Sequence, residues 1–294
     1  MEASTVFNCK TGRGSAIFAV ALNPELPIGI FDSGIGGLTV VRQIHRVLPH
    51  EDLVYLGDTA RVPYGTKSPG TVVRFACEDT QFLVQQNVKA VVVACNTVSA
   101  WALPTLERKF SVPVFGVIIP GAQAALKRSR TRRIGVIGTS TTIRSQAYGR
   151  AILARDDSAK VFARACPLLV PLVEEGWLNN NITQAILRAY LSPMLRRRID
   201  TLVLGCTHYP LLKAAIRGVV GRKIALVDSA ESCAQFLSER LDGTKLLART
   251  RRRAGIIQPF VTDEVERFDA LAKRFLDAPT KAAWKVDLPA HSAA

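Results

Sequence analysis

One design occurs twice in this chain, and the repetition limits the folds open to it. Ile28-Gly29-Ile30-Phe31 runs into Asp32-Ser33-Gly34, and Ile134-Gly135-Val136-Ile137 runs into Gly138-Thr139-Ser140. At nearly the same separation, each is followed by a second apolar run that ends in a thiol. The first is Val91-Val92-Val93-Ala94-Cys95-Asn96-Thr97, the second Thr201-Leu202-Val203-Leu204-Gly205-Cys206-Thr207-His208. Short apolar runs bounded by turn residues read as buried strands, and their alternation with amphipathic stretches favours an α/β architecture. The echo implies two similar doubly wound parallel-sheet domains related by a pseudo-twofold axis. With 294 residues, 48% of them hydrophobic, the chain is long enough for two cores.

Between these landmarks the pattern predicts a helix over 38–48, a strand over 53–56, a helix over 69–86, and a strand over 114–118 broken at Pro120-Gly121. Further strands are expected at 224–227 and 260–262, with helices running to Leu241 and over 265–276. Residues 1–27 show no sustained periodicity and read as a loose N-terminal extension. Residues 278–294 read as a disordered tail.

The net charge of +15 raises the question of a nucleic-acid partner. The excess lies in three clusters: Lys127 to Arg133, Arg196 to Arg198, and Arg249 to Arg253. No aromatic residues interleave with them as a base-stacking platform requires, so solvated surface is the better reading and no nucleic acid is expected. Six cysteines without a C-x-x-C spacing argue against a disulfide scaffold or a zinc ribbon, and no metal is expected. No apolar run reaches the roughly 18 residues of a membrane span. The segment Ala16 to Leu22 is short and lacks a basic lead, so a reduced, cytoplasmic setting is expected.

Ligands of open α/β sheets bind at the carboxyl ends of strands, where Cys95 and Cys206 both fall. A free thiol titrates near pH ~8.5, close enough to neutrality for proton transfer. Two thiols facing one substrate suit a reaction in which one removes a proton and the other returns one. Cys9, Cys77, Cys166 and Cys233 lack this placement and read as structural. The glycine spacing of the Asp32 to Gly37 loop matches neither a dinucleotide fingerprint nor a Walker loop. Helix capping by Asp32 or Ser33, anion binding, or an oriented carboxylate all remain open for it. His208 is placed to assist Cys206. Glu174 is either a helix-start charge or a site group. Asn96, Thr97 and Thr207 offer short polar contacts.

Four segments together resemble the bacterial glutamate racemases of the aspartate/glutamate racemase superfamily: Ile30 to Val40, Gly57-Asp58-Thr59-Ala60-Arg61-Val62-Pro63-Tyr64-Gly65, Ala94-Cys95-Asn96-Thr97, and Leu204-Gly205-Cys206-Thr207-His208-Tyr209-Pro210. The resemblance runs in order from about Pro27 to about Leu276. It implies a cofactor-independent racemase whose site lies between two α/β domains, one of residues 28–118 plus 229–277 and the other of 119–228. Cys95 would act on the D-enantiomer and Cys206 on the L-enantiomer. Asp32 matches the carboxylate beside the first thiol; Glu174 (with Glu175 adjacent) and His208 match the groups supporting the second. Asp32, Ser33, Tyr64, Gly65, Asn96, Thr97, Thr207 and His208 fall where the family holds substrate. A homodimer that makes D-glutamate for peptidoglycan is implied, with activation by a UDP-linked precursor if the N-terminal extension serves that role. An aspartate or hydantoin racemase of the same superfamily is the nearest alternative. A basic nucleic-acid-binding protein and a nucleotide-binding domain are the others.

Overall fold

The apolar runs bury on both faces, which selects parallel strands covered by helices. A computed structural model describes residues 23–249, 253–276 and 278–288. The first half runs β1 (Ile28–Asp32), α1 (Leu38–Val47), β2 (Leu53–Gly57), α2 (Pro69–Gln85), β3 (Ala90–Val93), α3 (Asn96–Trp101), α4 (Leu103–Lys109) and β4 (Val114–Gly116). The second runs α5 (Ile118–Arg128), β5 (Arg133–Gly138), α6 (Ser140–Arg144), α7 (Ala147–Leu153), β6 (Lys160–Ala165), α8 (Leu169–Glu174), α9 (Asn181–Leu195), β7 (Thr201–Gly205), α10 (Lys213–Val220), β8 (Ala225–Asp228) and α11 (Ser229–Gly243). The chain ends with β9 (Ile257–Val261), α12 (Val265–Leu276) and β10 (Trp284–Lys285).

Every strand pairing is parallel. The first sheet has the order β10-β9-β2-β1-β3-β4 and the second β6-β5-β7-β8. Without β9 and β10, both follow one rule: the first strand of each half lies between its second and third. The sequence echo is therefore an echo of topology. In each sheet the order reverses beside the first strand, and the carboxyl ends there open a crevice. Asp32 and Cys95 flank one crevice; Thr139 and Cys206 flank the other.

Helices α1 and α11 pack against each other, and one apolar cluster spans both halves, joining Ile30, Val41 and Ile44 to Leu204, Leu212 and Leu237. Each such fully buried side chain contributes about 1.5–3 kcal/mol. The two crevices thus open over a shared core. Among the described residues, no helix is long and apolar enough to cross a membrane.

Four expectations need correction. The strand expected over 114–118 stops at Gly116, and Ile118 opens α5. Pro120 sits in the first turn of that helix, where its missing N–H costs nothing. The tail expected over 278–294 contains β10, whose Trp284 and Lys285 register with Phe260 and Val261. Residues 23–27 of the expected loose extension are fastened: Lys89 Nζ donates to Pro24 O at 2.5 Å, and Glu25 accepts Arg249 N–H at 2.9 Å. The rest of the extension, and Cys9 with it, lies outside the described residues. Strand β6 has no counterpart among the expected elements. It is an edge strand whose sequence, Lys-Val-Phe-Ala-Arg-Ala, is only partly covered.

Two members of the basic clusters make local contacts. Arg132 caps α5 through the carbonyls of Leu126 and Ser129, and Arg253 clamps Asp52 through both guanidinium nitrogens.

Candidate active site

Asp32 ends β1 with no exposure to solvent. Its Oδ2 accepts the Gly34 N–H at 3.2 Å, and its Oδ1 lies 3.5 Å from the Thr207 hydroxyl of the second half. Helix α1 has no side-chain cap, so of the openings left by the sequence, capping by Asp32 or Ser33 is not realised. The glycines that follow allow close approach rather than a phosphate cradle. A Cβ on Gly37 would sit 2.4 Å from Asp32 Cβ, and one on Gly36 would sit 2.4 Å from both His208 Nδ1 and Thr207 Oγ1. Thr39 adds a second tie, donating to Thr207 O at 2.8 Å. Gly36→Ala is expected to displace the Thr207–His208 segment. The change should cost about 1–3 kcal/mol in thermal unfolding and lower kcat/KM roughly tenfold.

The thiols occupy matching places. Cys95 precedes α3 and Cys206 follows β7; they are 6% and 5% exposed. Cys95 Sγ lies 3.6 Å from Ser33 Oγ, and Cys206 Sγ lies 3.9 Å from His208 Nδ1. Two contacts, Cys95 to Ser33 and Asp32 to Thr207, therefore tie the two thiol-bearing strand ends together, Ser33 and Thr207 being chain neighbours of Asp32 and Cys206. The other nitrogen of His208, Nε2, is 3.1 Å from Glu174 Oε1. Glu174, and not the exposed Glu175, makes this contact. The returning C-terminal helix braces the pair: Arg274 donates to the carbonyls of Val173 and Glu174, and Phe275 meets the His208 ring edge-on at 5.6 Å. A cavity of about 170 Å³ borders Glu174 and Gly34.

Charges in this site are strongly biased. Burial pushes the Cys95 thiol up to about 12, Asp32 and charge on Cys206 adding to it while the Val98 N–H and Ser33 oppose. Burial also raises Asp32, against the pull of His208 and the Gly37, Gly34 and Thr207 donors. Burial alone would lower His208, but hydrogen bonds to Cys206 and Glu174 and their charges outweigh it and raise the imidazole to about 10. The hydrogen bond from His208 holds Glu174 below the usual carboxylate range despite its burial. At neutral pH the pair is imidazolium and carboxylate. The imidazolium Nδ1 is placed to donate toward the Cys206 sulfur.

Polar side chains fill the space between the halves. Thr97 Oγ1 lies 3.0 Å from both Thr139 Oγ1 and Thr142 Oγ1, which are 2.9 Å apart. Gly65 backs onto the same trio, since a Cβ there would sit 2.8 Å from Thr139 Cβ. Asn96 is held at both ends, accepting from Tyr148 OH at 2.7 Å and donating to Ser229 Oγ at 3.4 Å. The Tyr64 ring is buried, and its hydroxyl serves Asp58 and Asp79. Sequence reasoning missed Thr139, Thr142, Tyr148 and Ser229 as site residues. The echo carried a signal for Thr139, which occupies the place of Ser33 in the second repeat.

Two strand-end thiols thus stand at the paired topological crevices of the two sheets, with the buried Asp32 carboxylate and Thr207 in contact between them. The Asp/Glu/Hydantoin racemase model matches residues 28–237, and the chain belongs to that family. Within it, the chain is 50% identical over 268 residues to the glutamate racemase of Geobacter metallireducens, covering 91% of this chain and 99% of that one. The crystal structure of glutamate racemase isoform RacE1 from Bacillus anthracis aligns with TM-score 0.88 at 40% identity, over 92% of this chain and all of that chain. The Escherichia coli glutamate racemase, crystallised with L-glutamate and the activator UDP-MurNAc-ala, aligns with TM-score 0.73 at 27% identity, over 90% and 99% of the two chains.

Proposed function

We propose that this protein interconverts L- and D-glutamate by proton transfer between two thiols. The site lies in a cleft between the domain built on the first sheet and the domain built on the second. The observation that carries the reading is the pair of contacts, Cys95 to Ser33 and Asp32 to Thr207, that joins the two thiol-bearing strand ends. With the α-carbon between the sulfurs, the Cys206 thiolate takes the proton of L-glutamate. The C–H bond breaks as an S–H bond forms, and the electron pair stays on carbon. The Cys95 thiol then gives its proton to the opposite face. Cys95 is left as thiolate and Cys206 as thiol, the form that accepts the D-enantiomer.

Each neighbour has a task in this scheme. His208, held by Glu174, steadies charge on Cys206, and Asp32 stands beside Cys95 and the substrate ammonium. That ammonium offsets the burial that keeps Cys95 protonated in the free enzyme. Ser33, Asn96, Thr207 and His208 contact the α-substituents. The Thr97, Thr139 and Thr142 hydroxyls and the peptide groups of Tyr64 and Gly65 meet the distal carboxylate. Preorganised donors in a site shielded from water stabilise the carbanionic transition state.

The assay is polarimetry of L-glutamate and L-aspartate with the purified chain and no added cofactor. Rotation of L-glutamate should decay to zero. Aspartate should turn over at least about 100-fold more slowly, because the shorter chain cannot reach both carboxylate contacts. Faster turnover of aspartate would overturn the substrate assignment.

The likeness to the Escherichia coli complex supports a UDP-linked peptidoglycan precursor as activator. Turnover with and without that compound, in the full chain and in one lacking residues 1–22, tests this. The family resemblance further supports a cytoplasmic enzyme that supplies D-glutamate for peptidoglycan. Exposed Leu168, Trp177 and Ile182 on and beside α8 and α9 support a homodimer, which sedimentation would reveal.

A further inference from the structure

Three carboxylates and one guanidinium are packed beneath the loop that carries Tyr64 and Gly65, and no step of the proposed reaction uses them. Asp58 and Asp79 are fully buried and Glu78 nearly so. Arg61 Nε donates to Asp58 Oδ2 at 2.6 Å, Nη2 donates to Asp79 Oδ1 at 3.0 Å, and Nη1 donates to Glu78. The guanidinium lies over the Phe75 ring, 4.1 Å from its centroid. The Tyr64 hydroxyl donates to Asp58 Oδ2 and lies 3.2 Å from Asp79 Oδ2. Thr262, from the returning C-terminal segment, donates to Asp58 Oδ1 at 3.0 Å. The Asp58 N–H is tied to the carbonyl of Asp32 at 3.1 Å.

Proton counting constrains this cluster. A phenol has one proton, and Tyr64 gives it to Asp58. Its contact with Asp79 is then a hydrogen bond only if Asp79 is protonated and donates to the phenol oxygen. Burial, with Asp58 nearby, pushes Asp79 well above the usual carboxylate range, in agreement with that count. The short segment from Arg61 to Gly65 leads from this cluster to the other half of the molecule. There Gly65 meets Thr139, and Lys67 O accepts the Thr141 hydroxyl at 3.3 Å.

We infer that Asp58, Arg61, Tyr64 and Asp79 form a positioning set that fixes the Tyr64–Gly65 peptides against the distal carboxylate of the substrate. It governs affinity for glutamate and leaves the rate of proton transfer to the thiols. The inference rests on the glutamate reading above. Two enantiomers have equal free energy, so kcat/KM must be equal in the two directions, and any loss of affinity has to appear in both.

The test is steady-state kinetics in both directions. Tyr64→Phe, which removes only the hydroxyl, should raise KM for each enantiomer about tenfold and leave kcat within threefold. Asp79→Ala should raise KM at least as much. Asp79→Asn keeps a donor toward Tyr64 and an acceptor toward Arg61, so it should bring KM back to within threefold of wild type. An unchanged KM in a Tyr64→Phe protein with wild-type circular dichroism overturns the inference. So does a fall in kcat at constant KM. If Tyr64→Phe does not fold, the Asp79 pair decides, and Asp79→Asn as impaired as Asp79→Ala overturns it. A wild-type chain inert toward both glutamate enantiomers contradicts the functional reading, and this inference with it. An active wild type with an indifferent Tyr64→Phe contradicts the inference alone.

Discussion

Replacing either Cys95 or Cys206 by alanine is expected to stop racemisation, with kcat/KM falling at least about 10³-fold in both directions. Acid–base groups in the transition state are worth roughly 10²–10⁴-fold, and here one of the two proton-transfer groups is removed outright. Neither neighbour offers a replacement. Ser33 beside Cys95 is far too weak an acid, and His208 beside Cys206 is held by Glu174 at its other ring nitrogen. The variants should still differ in one respect. Cys95→Ala retains the Cys206–His208–Glu174 side and should exchange the α-hydrogen of L-glutamate with deuterated water without inverting it. Cys206→Ala should show the mirror preference, for D-glutamate. NMR of recovered substrate reads both. Full activity in either variant, or exchange of the wrong enantiomer, would contradict the assignment of the two sides.

The second large effect is expected at Glu174. Its carboxylate is one of two partners that raise His208 to about 10, and it lies only partly exposed beside a mostly buried ring. Glu174→Gln should lower kcat/KM about 100-fold, because the imidazolium loses its compensating charge in a site of low polarity. The sign of the pH dependence follows from the shifts. The folded value of His208 lies above its unfolded ~6.5. Its contribution is complete below that value and is lost as pH rises through about 10. The folded value of Glu174 is depressed, so its contribution is lost as pH falls through the acid range. Wild-type kcat/KM for L-glutamate should therefore hold to about pH 9 and decline near pH 10. In Glu174→Gln the alkaline limb should move down by at least about one pH unit. An unmoved limb would show that the contact does not control the imidazole.

The parts of this fold legible from sequence are those whose signal is local. The strands ending at Cys95 and Cys206 are buried on both faces, so they read as unbroken apolar runs that turns make visible. Helix α12 was legible to its ends, because Val265 to Leu276 keeps one apolar face against the core. Two of the four edge strands were not. Strand β6 alternates weakly, and β10 is two residues long and exists only because β9 offers a free edge. The start of α5 was hidden by Pro120-Gly121, which mark a turn in most contexts but here fit a first helical turn against the Tyr148 ring.

The candidate site divides the same way. Both thiols, Asp32, Ser33, Thr207 and His208 sit in motifs at strand ends. Glu174 and Glu175 could not be told apart, since only packing against α12 decides which carboxylate turns toward His208. Tyr148 and Ser229 reach Asn96 from 52 and 133 residues away, distances at which sequence pattern is silent. The Tyr64 motif is local, but the turn of its side chain into a carboxylate cluster depends on Asp79, from α2, which no local pattern announces.

One measurement bears most directly on the claim that two groups on opposite faces handle the proton. Wild-type protein is incubated with L-glutamate in deuterated water, and both enantiomers are recovered within the first few percent of conversion. The account predicts D-glutamate fully deuterated at the α-carbon, with the remaining L-glutamate still carrying hydrogen there. D-glutamate that keeps the original hydrogen would mean that a single group delivers it back to the other face, and the two-thiol account would be wrong.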